Sequence, residues 1–163
     1  MRRSTLLALV LAATLLPAGE ALAQKNFQAH LTGEAERPDP RATQAQGEAI
    51  FQVNGDDSIS FRLIVANIDN VVAAHIHCGG PEVAGPVGVT LFTGSPGSVS
   101  GTLSEGTITQ PDPSNACGWL DVGDVIEAME AGLAYVNVHT NDGVAPPNTG
   151  PGDFPGGEIR GQL

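Results

Sequence analysis

Apolar and polar residues alternate along most of this chain, in short runs broken by glycine, proline, asparagine and aspartate. "FQAHLTG" (27–33) alternates and "EAIFQV" (48–53) reads as a strand, with a polar proline-containing loop, "RPDPRATQAQG" (37–47), between them. "NGDD" is a hairpin signal, and "SISFRLIVANI" (58–68) is its return strand. "VVAAHIHC" (71–78) follows, then a Gly/Pro turn and "VGVTLF" (87–92). "SVSGTLSEGTITQ" (98–110) reads as a pair of weak strands. Runs of this length and spacing predict an all-β fold, a Greek-key sandwich or barrel.

One segment has a different period. "DVGDVIEAMEAG" (121–132) sets Val122, Val125, Ile126 and Met129 at helical spacing, with Asp121 as cap and Gly132 as stop. This predicts one short helix near 121–131. "LAYVNVHT" (133–140) is again a strand, and a loop rich in Pro, Gly and Asn (141–156) leads to the last one, "GEIRGQL" (157–163). No second domain and no internal repeat is visible.

Period two also sorts side chains onto faces. In 71–78, Ala74, Ile76 and Cys78 point one way and His75 and His77 the other. In 133–140, Val136 and Val138 oppose Tyr135, Asn137 and His139; in the last strand, Ile159, Gly161 and Leu163 oppose Glu158, Arg160 and Gln162. Three strands thus each have an apolar side and a side bearing imidazole, amide or charge. Imidazoles at i and i+2 on one strand, joined by a third from a neighbour, suit zinc or copper. Glu158 is placed to orient an imidazole N–H, with Asn137 beside it. His30 shares its face with Gln28 and Thr32 and offers a fourth nitrogen, but its spacing alone does not bring it to the other three. The same residues equally make a hydrogen-bonded polar network without any ion.

Other chemistry is thinner. Neither a nucleophile elbow nor a phosphate-cradling glycine pattern occurs. Asn141, Asp142 and Asp153 offer oxygens for calcium but lack the spacing of a calcium loop, so 141–156 is read as a polar loop.

Composition adds location. "MRRSTLLALVLAATLLPAGEALA" has a basic start, an apolar run too short to span a bilayer, and Ala21-Leu22-Ala23. It predicts a signal peptide over 1–23, cleavage before Gln24, and export to a periplasmic or extracellular setting, with one domain over 24–163. Losing two arginines and one glutamate moves the formal charge from −11 to −12. That balance argues against nucleic acid or an anionic membrane as partner. In such a compartment Cys78 and Cys117 read first as a disulfide, bracing the strand that carries the histidine pair.

"AHIHCGGPEVAGPVGVTLF", "EAMEAGLAYVNVHTNDG" and "GEIRGQL" together resemble the CHRD domain, first described in chordin and frequent in bacterial secreted proteins. The opening "FQAHLTGEAERPDPRATQAQGEAIFQV" is also similar to that family's first strands, although its usual E-V-P reads Glu36-Arg37-Pro38 here. The resemblance covers about residues 26–163 and implies an immunoglobulin-like β fold with no assigned catalysis. The order H-x-H, a distant histidine near a strand end, then an arginine in a glycine-flanked last strand is more loosely similar to copper-zinc superoxide dismutase. That likeness implies His75, His77 and His139 as copper ligands and Arg160 as the cation guiding an anionic substrate, yet the bridging histidine and zinc-loop histidines are missing. Three functions stand open: a non-enzymatic binding module holding copper or zinc, a dismutase-like copper enzyme, and a structural or adhesive domain without metal.

Overall fold

A computed structural model of the chain describes residues 25–95 and 97–163. The signal peptide expected over 1–23 lies outside these residues. The described chain runs β1 (Asn26–Thr32), β2 (Gln46–Val53), β3 (Ile59–Ile68), β4 (Val71–Cys78), β5 (Val87–Thr93), β6 (Val99–Ile108), α1 (Val122–Glu130), β7 (Ala134–Thr140) and β8 (Ile159–Gln162). All strands join one antiparallel sheet in the order β5-β4-β7-β8-β1-β2-β3-β6. The sheet curls until its two edges approach, where Ser104 Oγ of β6 donates to the Leu91 carbonyl of β5 at 2.7 Å. The all-β expectation holds, in the form of a nearly closed barrel.

The inward side is apolar because every second residue faces it. Leu31, Ala49, Phe51, Leu63, Val65, Ala74, Ile76, Val136, Val138 and Ile159 form one buried cluster. The helix closes an end of it with Val122, Val125 and Met129, three residues on one face. Asp121 caps it, accepting the Asp124 N–H at 3.2 Å, and Gly132 ends it at φ +66°.

One expectation changes. The stretch 98–110 is a single strand, β6, rather than a pair. Its register against β3 slips twice, and Gly101 takes φ +119° within it. The slips are bulges, which bend a strand without ending it, and the glycine between them stays paired with Val65.

Cys78, at the end of β4, is bonded to Cys117 in the loop before the helix, with Cα atoms 5.8 Å apart. The bond closes a separation of 39 residues. Chain-entropy arithmetic for a loop of that length gives a stabilisation of about 4 kcal/mol. The Cys78→Ser/Cys117→Ser double variant should therefore lose about 3–4 kcal/mol of unfolding free energy in a urea titration.

Candidate metal centre

The polar sides of β4, β7 and β8 form one surface because the three strands are neighbours in fixed register. His75 lies opposite Asn137, which lies opposite Arg160; His77 lies opposite Tyr135, and Ala73 opposite His139. Residues directly opposite in an antiparallel pair share a face. This side points away from the apolar core, yet it is not wet. His77, Asn137, His139, Glu158 and Arg160 are all buried, and β7 is buried at every position. Three loops lie over it: 33–45, 79–86 and 141–157.

Each loop contributes atoms that fix a side chain. His77 Nδ1 is 2.9 Å from the Gly85 carbonyl, and His139 Nδ1 is 3.0 Å from the Pro155 carbonyl. A carbonyl only accepts, so each Nδ1 must carry the hydrogen. In a neutral imidazole that leaves Nε2 bare. The two Nε2 atoms face one another at 3.4 Å. With both tautomers set this way, neither has a proton to share: two lone pairs point at one gap. Two nitrogens about 2.0–2.1 Å from a tetrahedral ion of zinc's size stand about 3.3–3.4 Å apart, which is the spacing found.

His75 completes a triangle. Its ring centroid is 4.9 Å from that of His139 and 5.5 Å from that of His77. One ligand atom from each of the three rings lies within 4.8 Å of the others. His75 Nδ1 is buried with no hydrogen-bond partner. A desolvated nitrogen without a partner is costly in a finished polar network.

Electrostatics keeps these rings neutral, as metal ligation requires. His77 and His139 are each pushed down to about 4, chiefly by burial. The carbonyl contacts oppose that fall only in part, and the neighbouring imidazoles add to it. Burial also lowers His75, with Asp112 pulling the other way. Beneath His77 lies Tyr135, stacked at 5.0 Å and 13°, and over Tyr135 lies the Arg160 guanidinium, 3.5 Å from the ring centroid. Tyr135 also exchanges hydrogen bonds with the Gly85 peptide, accepting at 2.9 Å and donating at 3.2 Å. Gly85 itself has no room for a side chain, since a Cβ there would sit 1.6 Å from the Cys78 carbonyl oxygen.

The other expected residues take different parts. Glu158 shares the face but does not orient an imidazole. Its oxygens accept from Thr43 Oγ1 at 2.6 Å, Thr140 Oγ1 at 2.7 Å and the Gly152 N–H at 2.8 Å. Asn137 donates to the Glu36 carboxyl at 3.1 Å, not to a histidine. Arg160, at 2 % exposure, donates to the carbonyls of Val83 and Gly80 and to Gln162 Oε1. His30 stands apart on β1, exposed, 3.1 Å from Glu48. Asn141 and Asp142 accept main-chain N–H groups two residues on, so their oxygens build the loop. The orienting carbonyls of Gly85 and Pro155 escape sequence reasoning, since every residue type carries one. Glu36 was visible only as part of a family-like tripeptide. It is 2 % exposed and pushed up to about 7 by burial, against the pull of Asn137, Arg160 and Arg41.

Comparison with known families places residues 27–147 in a match to the CHRD domain. Glu36, His75, His77, Asn137 and His139 fall inside the match, and Glu158 and Arg160 beyond it. No curated protein and no solved structure matches the chain.

Two consequences are measurable on metal-free protein. At pH 7, long-range ¹⁵N–¹H NMR should find the Nδ1–H tautomer in both His77 and His139, with neither ring protonating until pH falls to about 4. Free imidazoles in the unfolded chain take protons near 6.5. The unfolded state therefore binds more protons between those values, and these two rings make stability fall as pH drops from 6.5 toward 4.

Proposed function

From the premise that the chain belongs to the CHRD domain family, we propose that it is an exported, non-enzymatic binding module that takes up copper, or a similar transition metal such as zinc, through His75, His77 and His139. The observation that carries this reading is the pair of bare Nε2 atoms at 3.4 Å, each aimed by a carbonyl on the far side of its ring. Two acceptors at that distance need something positive between them. A proton is disfavoured because both rings resist protonation until about pH 4. The set of three neutral nitrogens includes neither carboxylate nor thiolate, and for such donors the divalent series places Cu²⁺ above Zn²⁺. A bound ion would supply Lewis acidity or a redox couple; the protein supplies the nitrogens, their tautomers and a dry surround.

Export is supported by the leader-like segment over 1–23 and by the Cys78–Cys117 disulfide, a bond typical of oxidising compartments. No helix among the described residues is long and apolar enough to cross a membrane. The dismutase-like reading has weaker support, because Arg160 is buried under the 79–86 loop with its N–H groups bonded there. A guanidinium so held does not meet an incoming anion. A purely structural network is disfavoured by the facing lone pairs and by the partnerless His75 Nδ1.

Titration of the purified protein with Cu²⁺ and Zn²⁺ should reveal about one tight site per chain. His77→Ala should weaken it by more than the roughly 10–100-fold that loss of an outer partner costs. Equal binding by wild type and His77→Ala would end the metal reading. Copper should raise the thermal midpoint and a chelator reverse the rise. A superoxide rate above that of free copper would replace the binding module with an enzyme.

A further inference from the structure

Besides His75 Nδ1, the described residues hold three buried side-chain atoms without a hydrogen-bond partner: Glu36 Oε1, Asn137 Oδ1 and Asp153 Oδ1. Two of these belong to residues already joined. Asn137 Nδ2 donates to the other Glu36 oxygen at 3.1 Å. Both orphans flank Gly157, where a Cβ would sit 2.4 Å from Asn137 Oδ1 and 2.8 Å from Glu36 Oε1. A carboxyl and a carboxamide are planar forks of the same size. With one N–H···O bond made, a single proton on Glu36 Oε1 would supply a second, O–H to Asn137 Oδ1, closing a ring that leaves neither atom without a partner. An ionised carboxyl offers no donor, so two dry oxygens would then oppose each other.

We infer that Glu36 is carried as a neutral acid donating to Asn137, and that this acid–amide pair latches the 33–45 loop onto β7. Arg160, Arg41 and the Arg37 main chain pull this carboxyl toward its ionised form, but burial outweighs them, and the side chains nearby are engaged elsewhere. Arg160 of β8 donates to Val83, Gly80 and Gln162; Arg41 donates to the Gly157 carbonyl at 3.3 Å and covers Phe154. Arg37 reaches Glu82 and the carbonyls of Glu34 and Glu36, and Tyr135 bonds with Gly85. None of these side chains supplies a hydrogen bond to the Glu36 carboxyl, and burial pushes that carboxyl up to about 7.

The latch has a position that matters. The loop it holds is one of three covering the histidine side, and Asn137 is the cross-strand partner of His75. Loss of the proton as pH rises through about 7 loosens that cover next to the imidazoles. The latch is read on metal-free protein and stands whether or not the rings take an ion.

Glu36→Gln tests it, because the glutamine amide N–H replaces the acid O–H in the same ring. A side-chain carboxyl ¹³C signal present in wild type and missing from Glu36→Gln should titrate near pH 7. The folding constant of Glu36→Gln relative to wild type should rise about tenfold per pH unit from pH 5 to 7 and level off above. The sign follows from a native carboxyl that keeps its proton to about 7 while the unfolded one loses it near 4.5. A carboxyl midpoint near 4.5, or a Glu36→Gln protein as destabilised at pH 6 as Glu36→Ala, would overturn the inference. If Glu36→Gln fails to fold, the wild-type signal, assigned through its own backbone, decides alone.

Discussion

Two main-chain carbonyls, of Gly85 and Pro155, set what the polar side of this barrel can do. By accepting the Nδ1 hydrogens of His77 and His139, they decide which nitrogen of each ring is bare and where it points. Had either ring been free to rotate or to exchange tautomers, the 3.4 Å approach of Nε2 to Nε2 would become an ordinary hydrogen bond. The fixed tautomers turn it into a pair of converging acceptors. Everything proposed about the cluster follows from that restriction.

The carbonyls are held in place by the rest of the polar layer. Gly85 is clamped between Tyr135 and the Cys78 carbonyl, and the disulfide at Cys78 ties the same strand end to the loop before α1. Arg160 lies over Tyr135 and bonds to Val83 and Gly80, so the 79–86 loop is fastened at two further points. Glu158 gathers Thr43, Thr140 and Gly152, joining the other two loops. A buried layer of this kind is tolerable only when its groups find partners. Among the few atoms that do not, those of His75, Glu36 and Asn137 adjoin the cluster and carry the most information.

Much of this was legible in the chain. Pleating sorts His75, His77, Asn137, His139, Glu158 and Arg160 onto one side, and the register makes cross-strand neighbours of His75, Asn137 and Arg160. The helix was legible from Asp121, its apolar spacing and Gly132. Period two does not say whether a polar face is wet, and here loops distant in sequence seal it. Glu158 reads as an imidazole acceptor until Thr43 arrives from the 33–45 loop to occupy it. Arg160 reads as a free cation until the 79–86 loop folds over it. The 98–110 run reads as two weak strands because composition does not reveal that it stays paired with β3 through two register slips.

The incomplete closure of the barrel has its own consequence. β5 and β6 end the sheet, and an exposed strand edge invites addition of a strand from another molecule. Along β5, Asp112 accepts both the Thr90 N–H and its hydroxyl, at 3.0 and 2.6 Å, while its own N–H bonds the Gly88 carbonyl. On the opposite margin, the slipped register and the Gly101 kink make β6 an irregular template. Both open margins are thereby poor templates for edge-to-edge pairing, and a seam remains in the wall between β5 and β6.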